Sequence, residues 1–156
     1  MEKELRKHKI NLGISGAAVI VFGVWTIVKI LIYFFASTED FFSLFGAMQI
    51  LDPAERAITI TIFIVLVLID LGLRLFIGLS ARAESKGKKK SVVYLIFAAL
   101  MILGSVFLNV FLASDLFTGS ILDGIISIIL ECTSVLAFVE VIVSSVGIRR
   151  TIKKLD

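Results

Sequence analysis

The sequence predicts an all-α integral membrane protein, a four-transmembrane-helix bundle with both termini in the cytoplasm. Four apolar runs, about 12–35, 57–79, 92–113 and 121–148, are each long enough to cross a bilayer as a helix, which takes about 20 residues at ~1.5 Å rise per residue. The segments that separate the runs alternate in the sign of their charge. Of the 156 residues 58% are hydrophobic, with one proline, so the expectation is a single transmembrane domain over residues 1–156.

Charge sets the orientation. Lys3, Arg6, Lys7 and Lys9 precede the first run, Arg82, Lys86, Lys88, Lys89 and Lys90 follow the second, and Arg149, Arg150, Lys153 and Lys154 follow the fourth. The two segments at the other side hold Arg56 beside Glu39, Asp40, Asp52, Glu55, Asp115 and Asp123. The positive-inside rule then places both termini and the 80–91 loop in the cytoplasm, in a plasma (inner) membrane. The basic side faces anionic lipid headgroups, so topology accounts for the net charge of +3 and nucleic acid is not needed as a partner.

Along the chain, residues 1–10 read as a charged tail formed by the first turns of span one. The apolar stretch after it is too long for a signal peptide, and Phe34-Phe35-Ala36-Ser37-Thr38 offers no small-x-small cleavage site, so the span is expected to be retained. Ser37-Thr38-Glu39-Asp40 resembles a helix start, and Phe41, Leu44, Phe45, Met48 and Leu51 recur at spacings of three and four. This predicts a short amphipathic helix over about 38–51, lying in the outer interface or as a lid over the bundle mouth. Asp52-Pro53-Ala54-Glu55 starts span two, with a capping acid, a proline suited to the first helical position and an acid at the positive end of the dipole. The 81–91 segment, with Gly87 among lysines, reads as a solvated turn. Span four starts near Ser120-Ile121-Leu122-Asp123.

Ala17-Ala18-Val19-Ile20-Val21-Phe22-Gly23 aligns without gaps on Ala98-Ala99-Leu100-Met101-Ile102-Leu103-Gly104, which suggests a duplicated helical hairpin. Gly13, Gly16, Ala17, Ile20 and Gly23 on span one form a thin small-residue stripe, and Ser127, Cys132, Ser134, Ser144 and Gly147 form another on span four. Such stripes let helices approach closely, within the bundle or between subunits. One cysteine, Cys132, and one histidine, His8, leave no cofactor or metal site to assemble, and no catalytic residue is assigned.

Five ionisable residues inside the spans form the candidate site, an intramembrane polar network of Lys29, Asp70, Arg74, Glu131 and Glu140. Rise per residue puts Lys29 and Glu131 about 10 and 15 Å below the outer ends of their spans, and Asp70, Arg74 and Glu140 about 20, 25 and 28 Å below. Asp70 and Arg74, four apart, share a helix face, and Glu140 is at the depth to meet Arg74. Glu131 and Glu140, nine apart, point to opposite sides of span four. Glu131 is too deep to reach headgroups and is expected inside, whereas Glu140 is near enough to reach outward. Lys29 can snorkel past Tyr33. Trp25, Thr26 and Asn109 lie at comparable outer depth and could line an outward-opening polar pocket.

Two readings of function follow from different classes. The reading favoured by the intramembrane charges is a transporter or channel for an ion or solute, acting as an oligomer because four helices rarely enclose a pathway alone, with the accessory role below as the alternative. The absence of any motif and the short loops suggest instead a non-catalytic accessory subunit or scaffold that binds a larger membrane partner. A lipid-modifying enzyme would need a nucleophile with an adjacent base, which the sequence does not show.

Overall fold

The computed structural model describes residues 2–36, 52–88, 91–113 and 121–154. These residues form four helices, α1 (Glu2–Ala36), α2 (Pro53–Ser85), α3 (Val93–Ala113) and α4 (Ile121–Lys153). The amphipathic helix expected over 38–51 lies outside the described residues. Three helices are long and apolar enough to cross a membrane, and α3 adds a shorter apolar stretch, Val93–Phe107. At 35 residues α1 is about 52 Å long, and α2 and α4 at 33 residues are about 50 Å, against a hydrocarbon thickness of about 30 Å.

The extra length of α2 corrects the sequence reading. Residues 81–85 are not a solvated turn but the last turn and a half of α2, with Ala81 and Glu84 buried. Nothing in Ser80-Ala81-Arg82-Ala83-Glu84-Ser85 breaks a helix, so it continues until Gly87. There φ is +83°, the Gly87 amide donates to the Glu84 carbonyl at 2.9 Å, and the Lys88 amide donates to the Ala83 carbonyl at 3.1 Å. This pair of bonds is a Schellman cap, which favours glycine at the left-handed position. At the start of α3 the Val93 amide donates to Ser91 Oγ. Likewise α1 is helical from Glu2, and α4 runs on to Lys153.

The chain divides into two compact units, Met1–Ile20 with Leu75–Asp156, and Val21–Arg74. In the first, a core of Leu12, Val19, Ile77, Ala81, Tyr94, Ala98, Phe138, Val141 and Ile148 is buried. Leu5, His8, Leu12, Ser15 and Val19 recur at threes and fours, so the inward face of α1 extends into its charged first turns. Leu5 packs on the core and the His8 ring lies over Gly147. α3 packs along α4, and Phe97 of α3 meets Phe76 of α2 edge to face at 6.0 Å.

α1 and α2 cross backbone to backbone at Gly16 and Gly78. A Cβ on Gly16 would come within 2.8 Å of the Gly78 carbonyl oxygen, and one on Gly78 within 2.5 Å of the Gly16 oxygen. Nearby, a Cβ on Gly13 would meet Ser85, which continues the crossing in antiparallel register. In the second unit Gly23 plays a similar part, because a Cβ there would lie 3.2 Å from Cβ and Cδ of Arg74. The span-one stripe is therefore a packing surface for α2. On α4, Ser134 and Ser144 are buried but Cys132 is exposed, so the packed stripe passes it by. The aligned repeat segments differ in environment. Val19 is buried and Leu100 exposed, while Gly23 is closely packed and Gly104 faces open space among the described residues.

Candidate functional site

In the first unit the polar groups converge on Glu84. It shares the inward face of α2 with Ile77 and Ala81, in the last turn before the Gly87 cap. Tyr94 sits in the first turn of α3. Ser145 and Arg149, four apart, share one face of α4. Each carboxylate oxygen of Glu84 accepts two hydrogen bonds. Oε1 accepts from Ser145 Oγ at 2.9 Å and Arg149 Nε at 3.0 Å, and Oε2 accepts from Tyr94 Oη at 2.7 Å and Arg149 Nη2 at 3.0 Å. The two hydroxyl oxygens also lie 2.9 Å apart.

The guanidinium thus meets the carboxylate as a two-pronged fork, a geometry lysine does not reproduce. The side chains are 8% and 32% exposed for Glu84 and Arg149, so the carboxylate is the withdrawn partner and the arginine reaches it from the edge. A carboxylate with about four acceptor positions and four donors on them has no position left for a metal ion or a substrate. What the arrangement does is fasten the ends of α2, α3 and α4 to one another.

A second link ties α1 to α4. Asn11 Nδ2 donates to Glu140 Oε1 at 3.0 Å, and Ser144 Oγ donates to the same oxygen at 2.8 Å. This sets Glu140, expected to be able to reach outward, against a neighbouring helix. Glu140 does not reach outward alone. It bonds to a neighbouring helix, because the inward face of α1 continues as far as Asn11 and Ser144 lies one turn further along α4. Glu131 is half-buried and takes part in none of these bonds.

The second unit holds the expected i,i+4 pair. Arg74 Nε donates to Asp70 Oδ2 at 2.8 Å, with side chains 6% and 34% exposed. Lys29 is half-buried in the same unit. Of the five candidate network residues, Lys29, Asp70 and Arg74 thus belong to Val21–Arg74, and Glu131 and Glu140 to the other unit. The expected outer pocket of Trp25, Thr26 and Asn109 borders segments that lie outside the described residues. Trp25 is exposed, and the half-buried Thr26 donates its hydroxyl to the Phe22 carbonyl of its own helix at 3.0 Å. The side chain of Asn109 lies outside the described residues.

Among the described residues every buried side-chain nitrogen or oxygen has a hydrogen-bond partner, and no group of acids, cysteines and histidine is placed to hold a metal ion. Sequence reasoning missed Glu84, Tyr94, Ser145 and Asn11. The signal available for them was the continuation of each inward face past the apolar run, Ile77-Ala81-Glu84 on α2 and Leu5-His8-Leu12 on α1. The chain matches no protein-family model, no curated protein and no solved structure, so its function is read from its own residues.

Proposed function

We propose that the chain is an integral membrane protein of the plasma (inner) membrane that acts as a non-catalytic subunit or scaffold, with its helices crossing the bilayer and both termini cytoplasmic. The observation that supports this most is the use made of the acids among the helices. Asp70 is bonded to Arg74, Glu84 to Arg149, Tyr94 and Ser145, and Glu140 to Asn11 and Ser144. The Glu84 and Glu140 bonds hold helices in register, Asp70 is paired within α2, and few groups are left to coordinate a moving ion. The apolar faces that point outward on all four helices, such as Val21, Ile62, Leu103 and Leu136, suit lipid or the helices of a second copy or a larger membrane partner.

Translocation by an oligomer is the second reading, and Glu131 favours it. This acid is half-buried within an apolar stretch of α4 and stands apart from the bonded clusters. Flux separates the two readings. The purified chain in liposomes, under an imposed pH gradient or voltage, is expected to pass neither protons nor monovalent ions and to co-purify from mild detergent as a defined assembly. Ion flux that Glu131→Gln or Asp70→Asn abolishes in a folded protein would overturn the scaffold reading in favour of transport.

A further inference from the structure

The first turns of α1 have two faces. Leu5 and His8 turn inward, onto the core and onto Gly147 of α4. Lys3, Arg6 and Lys7 are on the opposite side of the helix and exposed, because residues three and four apart share a face and the two sets are about half a turn from each other. The end of α4 adds Arg150, Lys153 and Lys154, also exposed. These six cations belong to one compact unit, and the first turns of α1 are seated against the end of α4 rather than extending freely from it.

The acids at this end do little to offset them. Glu84 is withdrawn and forked by Arg149, and the exposed acids nearby on α1 are Glu2 and Glu4. Orientation in a membrane requires only that positive charge be present on one side. It does not require that the charges be fixed on a docked helix.

We propose that the seated first turns of α1 and the end of α4 form a fixed binding surface for anionic phospholipid headgroups. The proposal rests on the membrane reading above and goes beyond it in assigning a preferred lipid class and the residues that select it. The choice of lipid follows from charge complementarity and from position, since the cations adjoin apolar runs that suit the bilayer interior. Each lysine or arginine near an anionic membrane surface contributes about a fivefold preference, and a fixed array lets several act on the same headgroups.

The test uses the full chain. Alkaline carbonate extraction first establishes that it stays in the membrane fraction, and its loss there would defeat the membrane reading by itself. Lipids retained by the purified protein from equal mixtures of phosphatidylglycerol and phosphatidylcholine are then measured by native mass spectrometry. The wild type is expected to retain the anionic lipid in about tenfold excess or more. Lys3→Gln/Arg6→Gln/Lys7→Gln, at exposed positions that leave the packing intact, should remove most of that excess. Gly147→Leu, which drives the His8 ring off α4 and changes no charge, should also reduce it severalfold. Equal retention of both lipids by the wild type overturns the proposal. So does a Gly147→Leu protein that is folded and keeps the full preference, since charge without a fixed surface would then suffice.

Discussion

The bonded acids within the helices reach different distances along the chain in the two units. In Met1–Ile20 with Leu75–Asp156 they bind distant parts of the chain together, Glu84 to Arg149 across 65 positions and Asn11 to Glu140 across 129. In Val21–Arg74 the bonds of Asp70, Thr26 and Thr61 close on the same helix, four residues away. Among the described residues, the buried apolar side chains all lie in the first unit. The comparison teaches that an ionisable residue in an apolar helix is not by itself a sign of a transport site. Its role depends on which groups the surrounding chain supplies to it, and glycine and serine at a crossing let helices come close.

The strongest way to break this contrast is to force the α1–α2 crossing apart. Gly78→Leu puts side-chain atoms where the Gly16 carbonyl oxygen and Ile20 already lie, within 2.5 Å of the new Cβ. Backbone has little room to yield, so a loss of about 3 kcal/mol is expected, read as a large fall in thermal midpoint in detergent. Next in size is Glu84→Gln. The amide keeps the shape but presents an NH2 toward donors that needed an acceptor, and it leaves Arg149 without its counter-charge. A loss of about 2 kcal/mol is expected, and adding Arg149→Met should restore part of it, because removing both partners avoids the stranded charge. Failure of the double variant to recover would mean that the hydroxyl bonds, rather than the ion pair, hold the helix ends. The smallest effect belongs to the second unit. Gly72 is exposed and has nothing within 4 Å of an added Cβ, so Gly72→Ala should raise stability by about 0.5–1 kcal/mol through helix propensity alone. A destabilised Gly72→Ala protein would show that this face is packed against something in the assembled protein.

Much of the fold was legible in the sequence. Apolar length located the helices, and Asp52-Pro53 and Ile121 marked two of their starts where the structure has them. The Asp70–Arg74 pair was legible because it depends only on spacing within one helix. The Glu84 cluster was not. Its members come from three helices, and nothing local in Ala81–Lys90 distinguishes a buried glutamate from a solvated one. Its burial follows from where the helix ends, and that is set by Gly87 rather than by the last apolar residue. Arg149 was hidden for a related reason, since it was counted with Arg150 as part of the orienting charge, whereas only Arg150 is exposed. Adjacent residues on a helix are about 100° apart, so two neighbouring arginines at a helix end rarely share a fate.

The Glu84 cluster also joins parts of the chain that are synthesised at different times. Tyr94 follows Glu84 by 10 residues, across a turn already shaped by Gly87, so the nascent hairpin of α2 and α3 supplies the carboxylate with one hydroxyl early. The guanidinium comes 65 residues later, with the final helix. Until α4 is made, Glu84 lacks the guanidinium that forks it in the folded chain. A chain cut between α3 and α4 would therefore keep Glu84 and Tyr94 but lack the Ser145 hydroxyl and the Arg149 guanidinium.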